Sequence, residues 1–494
     1  MNLRKGIVIT ALICVILLSI ITKIGQIIDY PYLLDGDPYF HGLIMDSIIE
    51  KGEMPITIPH QVPETTLFYP LGFHLELAII NIFTGIGSLD LLRYVGAFIA
   101  GLLSLQMYVI LKKIFKSDVI AIFGGTLMAI SPVLTDRLSI GLSENLFLVS
   151  ILFTIYLSLY FQESHSFTLL LFLTVVIGSS FFIHFSSYFS LPLLIYLWGY
   201  FIVLIFLRRK FFFALVIFLL GGLSILSVVF YFPQIISVMK SFANTGVANP
   251  EFLPPPTFWQ WQTQLSYYAI PVLIISIIAL LINFRKEMLV RRYYTPIIIF
   301  TLVIFSFLEV LPLFKIYNLL PFRAFTYFIL CGILLMSYFF YRFKVYPIVF
   351  ASIIAFIVIT HPFRASGWDK DLTLLEHEGI FNLKNIEENS LIVTQPINGR
   401  MIIFFTRRST VSDAARELFF AENSDVFISG IKSFGQYDAY YVLISKHKLT
   451  PEYNKGWVRP WAAVGLNWNI FDQSKFKVVY ENNDVVIYKL KNSL

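Results

Sequence analysis

The sequence predicts a polytopic α-helical membrane protein with a soluble α/β domain at its C-terminal end. Two observations carry that prediction. Of 494 residues 57% are hydrophobic and 14% charged, where a soluble chain carries about 25% charged residues. Long apolar runs recur over the first 360 positions and stop near His361. Such low charge excludes a disordered chain. The only cysteines, Cys14 and Cys331, lie inside apolar runs, which excludes a disulfide framework or a zinc knuckle. The net charge of +6 (37 basic minus 31 acidic residues) concerns orientation in a membrane rather than nucleic acid.

About 20 apolar residues are needed to cross roughly 30 Å of hydrocarbon. By that measure eleven spans fall near 6–25, 91–111, 119–134, 144–161, 167–183, 187–207, 211–232, 265–283, 293–311, 320–340 and 345–360. The segment 73–87 is also apolar, but it is short, holds His74 and Glu76, and is expected along the membrane interface. Charge placement supports this count. Basic clusters stand at Arg4–Lys5, Lys112–Lys116, Arg208–Lys210, Arg285–Arg292 and Arg342–Lys344. Eleven spans put all of them on one face, as the positive-inside bias requires, whereas twelve would strand the amino terminus opposite the rest. The amino terminus is therefore expected in the cytoplasm of a multi-pass cell-membrane protein. Loops 29–90 and 233–264 and the domain 361–494 then lie outside, leaving 1–360 as the transmembrane domain.

Within 361–494, the segments 390–394, 401–406 and 439–445 read as apolar strands. Lys477–Tyr480 and Val485–Lys489 flank a turn and read as a hairpin. Ser412 is expected to cap a helix over 414–422.

Ionisable residues gather outside the membrane. The first outer loop holds Asp35-Gly-Asp-Pro-Tyr-Phe-His41, in which Gly36 permits a turn and Pro38 fixes the backbone after Asp37. Carboxylates and a histidine there suit a divalent cation, a general base, or a plain solvated loop. A second short loop runs from Asp136 through Glu144 and Asn145, where Glu144 also suits the start of a helix. A third holds Ala248-Asn-Pro-Glu251, before three prolines and the aromatic run 258–261. Its plain reading is a rigid loop with an interfacial aromatic belt. Arg323, at the outer mouth of the tenth span, runs against the charge bias and suits either a lipid phosphate or snorkelling. His184 ends the fifth span, as a hydrogen-bonding group toward a substrate or a structural histidine.

Taken in order, these features resemble a known family. Asp37-Pro-Tyr-Phe-His41, Gly52-Glu-Met-Pro55, Tyr69-Pro-Leu-Gly72, Tyr108–Phe115 and Ser131–Arg137 with Gly141 resemble the catalytic subunit of oligosaccharyltransferases. These belong to the GT-C class of glycosyltransferases, which use lipid-linked sugars. The resemblance implies a GT-C-like transmembrane domain and transfer of a sugar or oligosaccharide at the outer face. The donor would be a polyprenyl (dolichyl-type) phosphate or diphosphate, and the acceptor protein, lipid or glycan. It implies Asp37 as the catalytic carboxylate and a divalent cation, Mg²⁺ or Mn²⁺, on Asp37, Glu144 and Glu251, with Asp35 as a further ligand. Arg323 would hold the donor phosphate, with His41 and His184 in support. Three departures accompany it. Glu144 is the only acid of the second motif, Leu43 replaces an arginine, and Thr394-Gln-Pro-Ile-Asn-Gly-Arg400 stands where the family carries its sequon-reading WWDYG. Two other classes stay open: a polytopic transporter and a non-catalytic membrane protein binding glycan or envelope partners.

Overall fold

The computed structural model describes residues 3–34, 36–67, 69–184, 190–207, 269–283, 293–305, 321–344, 372–395, 398–449 and 466–491. Helix α1 (Leu3–Ile27) starts the bundle and turns Ile7, Ile13, Leu17 and Ile21 outward, as a lipid-facing surface requires. Two short helices follow: α2 (Asp37–Lys51), with Pro38 in its first turn, and α3 (Gly72–Thr84). At 13 residues, α3 rises about 20 Å, too short for a span. It buries Phe73, His74, Leu77 and Ala78 and exposes Ile79, Ile82 and Phe83.

The bundle continues with α4 (Ser88–Phe115), α5 (Asp118–Ile130), α6 (Pro132–Leu138), α7 (Ser143–Ser164), α8 (Phe167–Ser180) and α9 (Leu191–Leu207). It ends, among the described residues, with α10 (Ala269–Asn283), α11 (Thr295–Phe305) and α12 (Pro321–Phe343). Four described helices are long and apolar enough to cross a membrane, within α1, α4, α7 and α12. The expected spans at 211–232 and 345–360 lie outside the described residues. The span expected at 119–134 is instead two helices, because Pro132 forces Ser131 out of helical geometry, to ψ 120°. A proline break leaves carbonyls without helical partners. One of them, at Ala129, accepts from the buried Lys23 ammonium at 2.6 Å and the Thr22 hydroxyl at 3.2 Å, both on α1. The loop after α6 lies so close to α4 that a Cβ at Gly141 would fall on the Leu92 carbonyl.

The C-terminal domain holds a five-stranded sheet in the order β2-β1-β3-β5-β4. Strands β1 (Ser390–Thr394), β2 (Ser409–Val411) and β3 (Ala439–Ser445) run parallel, and the hairpin of β4 (Phe476–Glu481) and β5 (Val485–Leu490) adds antiparallel to β3. The expected strands at 390–394 and 439–445 and the hairpin are present. The strand expected at 401–406 is wrong: Gly399–Thr406 is a helix. Parallel β1 and β2 need a crossover connection, and this helix supplies it; a short apolar run does not by itself tell strand from helix. The helix expected over 414–422 is a 3₁₀ segment, Asp413–Phe420, and the Ser412 side chain makes no cap. We number the domain's helices α13 (Leu374–Asn382), which a Thr373–Glu376 capping box opens, α14 (Gly399–Thr406) and α15 (Ser424–Lys432).

Several contacts among the described residues fasten the domain to the first loop. Helix α14 packs on α2, with Phe404 and Phe405 each 5.5 Å from the Tyr39 ring. Backbone bonds join Thr410 of β2 to His60 and Val62. The Tyr30 hydroxyl donates to the Leu372 carbonyl at 2.7 Å and accepts from its N–H at 3.1 Å.

Candidate active site at the domain end of the bundle

Asp37 opens α2 and meets the C-terminal domain directly. Its carboxylate accepts a hydrogen bond from the Arg400 guanidinium on α14, and that guanidinium lies 5.3 Å from the centre of the Phe40 ring. Both side chains are partly exposed (Asp37 40%, Arg400 52%), so the pair borders solvent rather than core. Two turns further along α2, Asp46 pairs with Arg407 and accepts from the Ser88 hydroxyl at 3.1 Å. Burial raises the Asp46 carboxyl above its ordinary value, and Arg407 and Ser88 oppose the rise.

Glu144, in the first turn of α7, is fully buried. Arg137 donates to it through Nε at 2.8 Å and also through Nη2, and the Tyr327 hydroxyl of α12 donates at 2.8 Å. A buried carboxylate is tolerated only when paired and hydrogen-bonded, and the triad meets that condition. The helix N-terminus adds favourable positive potential. Next to Glu144, the Ser143 hydroxyl shares a 2.7 Å hydrogen bond with the Tyr69 hydroxyl. Gly72, which closes the Tyr69-Pro-Leu-Gly run, donates its N–H to the Phe182 carbonyl at 2.6 Å. That bond brings the segment after α8 to the site, where His184 stacks 6.0 Å from Phe147 and lies 6.3 Å from Tyr69. Phe147 in turn meets Tyr327 edge-on at 5.5 Å.

His41, one turn after Asp37, is buried with its Nδ1 2.8 Å from Nε2 of the buried His74 on α3. Phe40, Tyr69 and Phe73 surround the His41 ring at 5.2 to 5.7 Å. Burial pushes His74 down to about 3, with the Pro70 carbonyl acting weakly in the other direction. At neutral pH His74 is therefore an uncharged imidazole.

The structure thus links α2, α3, α7 and α12 through one polar and aromatic layer. Four sequence candidates, Asp37, His41, Glu144 and His184, belong to this part of the molecule. Asp35 and Glu251 lie outside the described residues, as does the Arg323 side chain, whose backbone stands in the first turn of α12. Reading the sequence did not single out Tyr327, His74 as a partner of His41, or Arg400 as a partner of Asp37. In the sequence His74 is only a polar interruption of an apolar segment, and Tyr327 looks like any aromatic in an apolar span.

Among the described residues, no three His, Cys, Asp or Glu side chains gather as a cation site. Asp37 and Glu144 each pair with an arginine, and the other two expected cation ligands, Asp35 and Glu251, lie outside the described residues.

At the ends of β1 and β3, where the resemblance locates a sequon-reading motif, a buried polar network stands. Lys448 donates to Asn398 at 2.6 Å and lies 3.4 Å from Glu376. Asn398 donates to the Ser445 hydroxyl at 2.7 Å, and that hydroxyl donates to Glu376.

No family model matches the sequence, and no curated protein matches it. Solved structures do. An archaeal oligosaccharyltransferase, AglB from Archaeoglobus fulgidus, in complex with an inhibitory peptide and a dolichol-phosphate, is similar at a TM-score of 0.62 and 12% identity, covering 92% of this chain and 71% of that one. The same oligosaccharyltransferase tethered to an acceptor peptide with an NVT sequon gives a TM-score of 0.63 at 12% identity, over 93% and 72% of the two chains. ArnT from Cupriavidus metallidurans, bound to undecaprenyl phosphate, gives 0.56 at 13% identity, over 99% of each chain. The chain has the fold of the GT-C glycosyltransferases, polytopic membrane proteins, over most of its length.

Proposed function

We propose that this chain is a membrane glycosyltransferase that moves a sugar or oligosaccharide from a polyprenyl phosphate or diphosphate to an acceptor at the outer membrane face. The observation that carries the proposal is the meeting of Asp37 and Arg400 at the junction of bundle and α/β domain, one aromatic layer from the Glu144–Arg137–Tyr327 triad. The likeness to AglB with dolichol-phosphate and to ArnT with undecaprenyl phosphate supports a lipid-linked donor.

Asp37 acts on the acceptor. A positioned carboxylate takes the nucleophile's proton as the sugar bond forms, while Arg400 and the Phe40 ring hold it in place. The leaving lipid phosphate develops negative charge, which fixed cations stabilise; Arg323, at the mouth of α12, serves this end. Glu144 keeps Arg137 and Tyr327 in position. A divalent cation, Mg²⁺ or Mn²⁺, would enter through Asp37, Asp35, Glu144 and Glu251. Loss of turnover in EDTA with recovery on Mn²⁺ would bring it in, and AglB has been crystallised with Zn. The acceptor is a protein, lipid or glycan. Thr394–Arg400 lacks the tryptophan pair of WWDYG, which weighs against sequon reading.

The same reading gives eleven spans in a 1–360 transmembrane domain, with the amino terminus in the cytoplasm and 361–494 outside. Labelling of single cysteines from either side of sealed vesicles tests this topology. The function is tested with the purified chain in nanodiscs, radiolabelled polyprenyl-phosphate sugars and mixed acceptors. Transfer by the wild type and its loss in Asp37→Asn are expected. Full turnover in Asp37→Asn removes that residue from the scheme, and substrate flux across liposomes without transfer would replace it with a transporter.

A further inference from the structure

The buried network at the ends of β1 and β3 has no part in the scheme above, although its position joins it to the site. Lys448 and Asn398 are each 1% exposed, and Ser445 and Glu376 are as deeply buried. Lys448 donates to Asn398 Oδ1 at 2.6 Å, and the Asn398 amide donates to Ser445 Oγ at 2.7 Å. Gln395 completes the set: its carbonyl accepts from the Asn398 N–H at 3.0 Å, and its Oε1 accepts from the Ser445 N–H at 2.9 Å. Asn398 is the residue before α14, yet its side chain makes no capping hydrogen bond to that helix. An asparagine there ordinarily accepts from the second or third N–H of its own helix. Here both ends of the amide are turned to the lysine and the serine instead.

A buried lysine–carboxylate pair is a poor source of stability, because desolvation can exceed the attraction. An apolar set of equal volume would hold the sheet as well. What a fully bonded polar set adds is one fixed arrangement, and it fixes Asn398. Two residues later stands Arg400, in the first turn of α14, whose guanidinium binds Asp37 and lies over the Phe40 ring. At 52% exposure burial alone does not place that long side chain, so its aim depends on where its backbone starts. That start has little slack, since a Cβ on Gly399 would fall 2.3 Å from Ser412 Oγ. The far end of α14 is held separately, by Arg407 on Asp46.

We propose that Lys448 is a positioning residue: through Asn398 it fixes the start of α14 and so aims Arg400 at Asp37 in the transfer reaction. The proposal rests on the glycosyltransferase reading. The lysine itself stays buried and exchanges no proton with the substrate. Asp37 must meet the acceptor as the sugar bond forms, and Arg400 holds its carboxylate in that orientation. Without the network Arg400 starts from several places, and Asp37 is correctly oriented only part of the time. Misplacement of a reacting group slows the chemical step, so the loss falls on turnover and spares donor binding.

Two measurements on the full-length protein test this. Lys448→Met alone removes the cation beside the buried Glu376, so the neutral pair Lys448→Met/Glu376→Gln is used, with Asn398→Leu as a second variant that changes no charge. In the transfer assay either variant should lower kcat at least tenfold with the donor KM within twofold of wild type. In an Arg400→Gln background the same changes should cost less than twofold more, because the residue they act through is gone. An equal fold loss in both backgrounds reduces the network to general support of the domain and refutes the proposal, as does wild-type kcat in the variants. Geometry is read without turnover. In a Cys14→Ser background, Asp37→Cys and Arg400→Cys are joined by a short rigid bismaleimide. Bridging should slow at least fivefold when either network variant is added; an unchanged rate overturns the proposal. A wild type that transfers sugar, with bridging indifferent to the network, sinks this inference alone. A wild type that transfers nothing sinks the glycosyltransferase reading, and the bridging rate still judges the placement of Arg400.

Discussion

Replacing Arg137 by methionine leaves the Glu144 carboxylate buried without its guanidinium partner, while Tyr327 still donates to it. Glu144 is 1% exposed, so water cannot substitute for the guanidinium without opening the structure. Removing one partner of a buried ion pair costs about 3–5 kcal/mol, because the surviving charge keeps its desolvation penalty. Tyr327→Phe removes a single hydrogen bond to a charged group, worth about 1.5–3 kcal/mol. The double variant Arg137→Met/Glu144→Gln should lie well above Arg137→Met in stability, since no charge is then left behind. Cys331 provides the assay: it is fully buried on α12, whereas Cys14 is exposed. In a Cys14→Ser background, a thiol-reactive fluorophore reports opening of the bundle through Cys331 alone. At about 1.4 kcal/mol per tenfold, Arg137→Met should raise the equilibrium open fraction by at least a hundredfold. A double variant that labels as fast as Arg137→Met would refute the account, because it would locate the damage in lost packing rather than in an orphaned charge.

Arg323→Ala should raise the KM for a polyprenyl-phosphate donor tenfold or more with little change toward the acceptor; equal loss at every donor concentration would argue against phosphate binding. Gly141→Ala drives a methyl into the Leu92 carbonyl and should cost about 1–3 kcal/mol, measured as a lower thermal midpoint; an unchanged midpoint would show that the α6–α7 loop can retreat. Glu387 is held down to about 2, first by its hydrogen bond from Lys489 at 2.5 Å and then by that from Tyr441 at 2.6 Å. A depressed carboxyl stabilises above its unfolded value, about 4.3, and that stability disappears as pH falls toward 2. Glu387→Gln should accordingly flatten the acid limb of thermal stability between about pH 4.5 and 2. His74 acts in the same sense over a different window, from about 6.5 down to about 3, so His74→Phe should make the protein less sensitive to mild acid.

How much of this was legible beforehand depended on the distance over which each signal acts. The membrane class, the strands at 390–394 and 439–445, and the 476–490 hairpin follow from local composition and pattern, and they are present. The segment 399–406 defeats the pattern because five consecutive apolar residues, Met401–Phe405, fit either period, and the deciding constraint is the parallel pairing of β1 with β2, which no local window contains. Likewise Pro132 was visible, but a break after Ser131 was masked by apolar residues on both sides. Asp37, His41, Glu144 and His184 stand out in the sequence because polar residues at span edges are costly and conspicuous. Their partners do not. Arg400 lies 363 positions from Asp37 and Tyr327 lies 183 from Glu144, so only tertiary structure could pair them.

Lys23 gives the amino-terminal helix a duty beyond anchoring. Its ammonium sits on a carbonyl that the Ser131–Pro132 break exposes in a different helix. Another greasy leader grafted in its place would restore insertion yet leave that backbone oxygen stranded in the apolar interior. Chimaeras that swap residues 3–27 for a generic anchor should thus reach the membrane but assemble poorly, and restoring one lysine at the matching depth should rescue them.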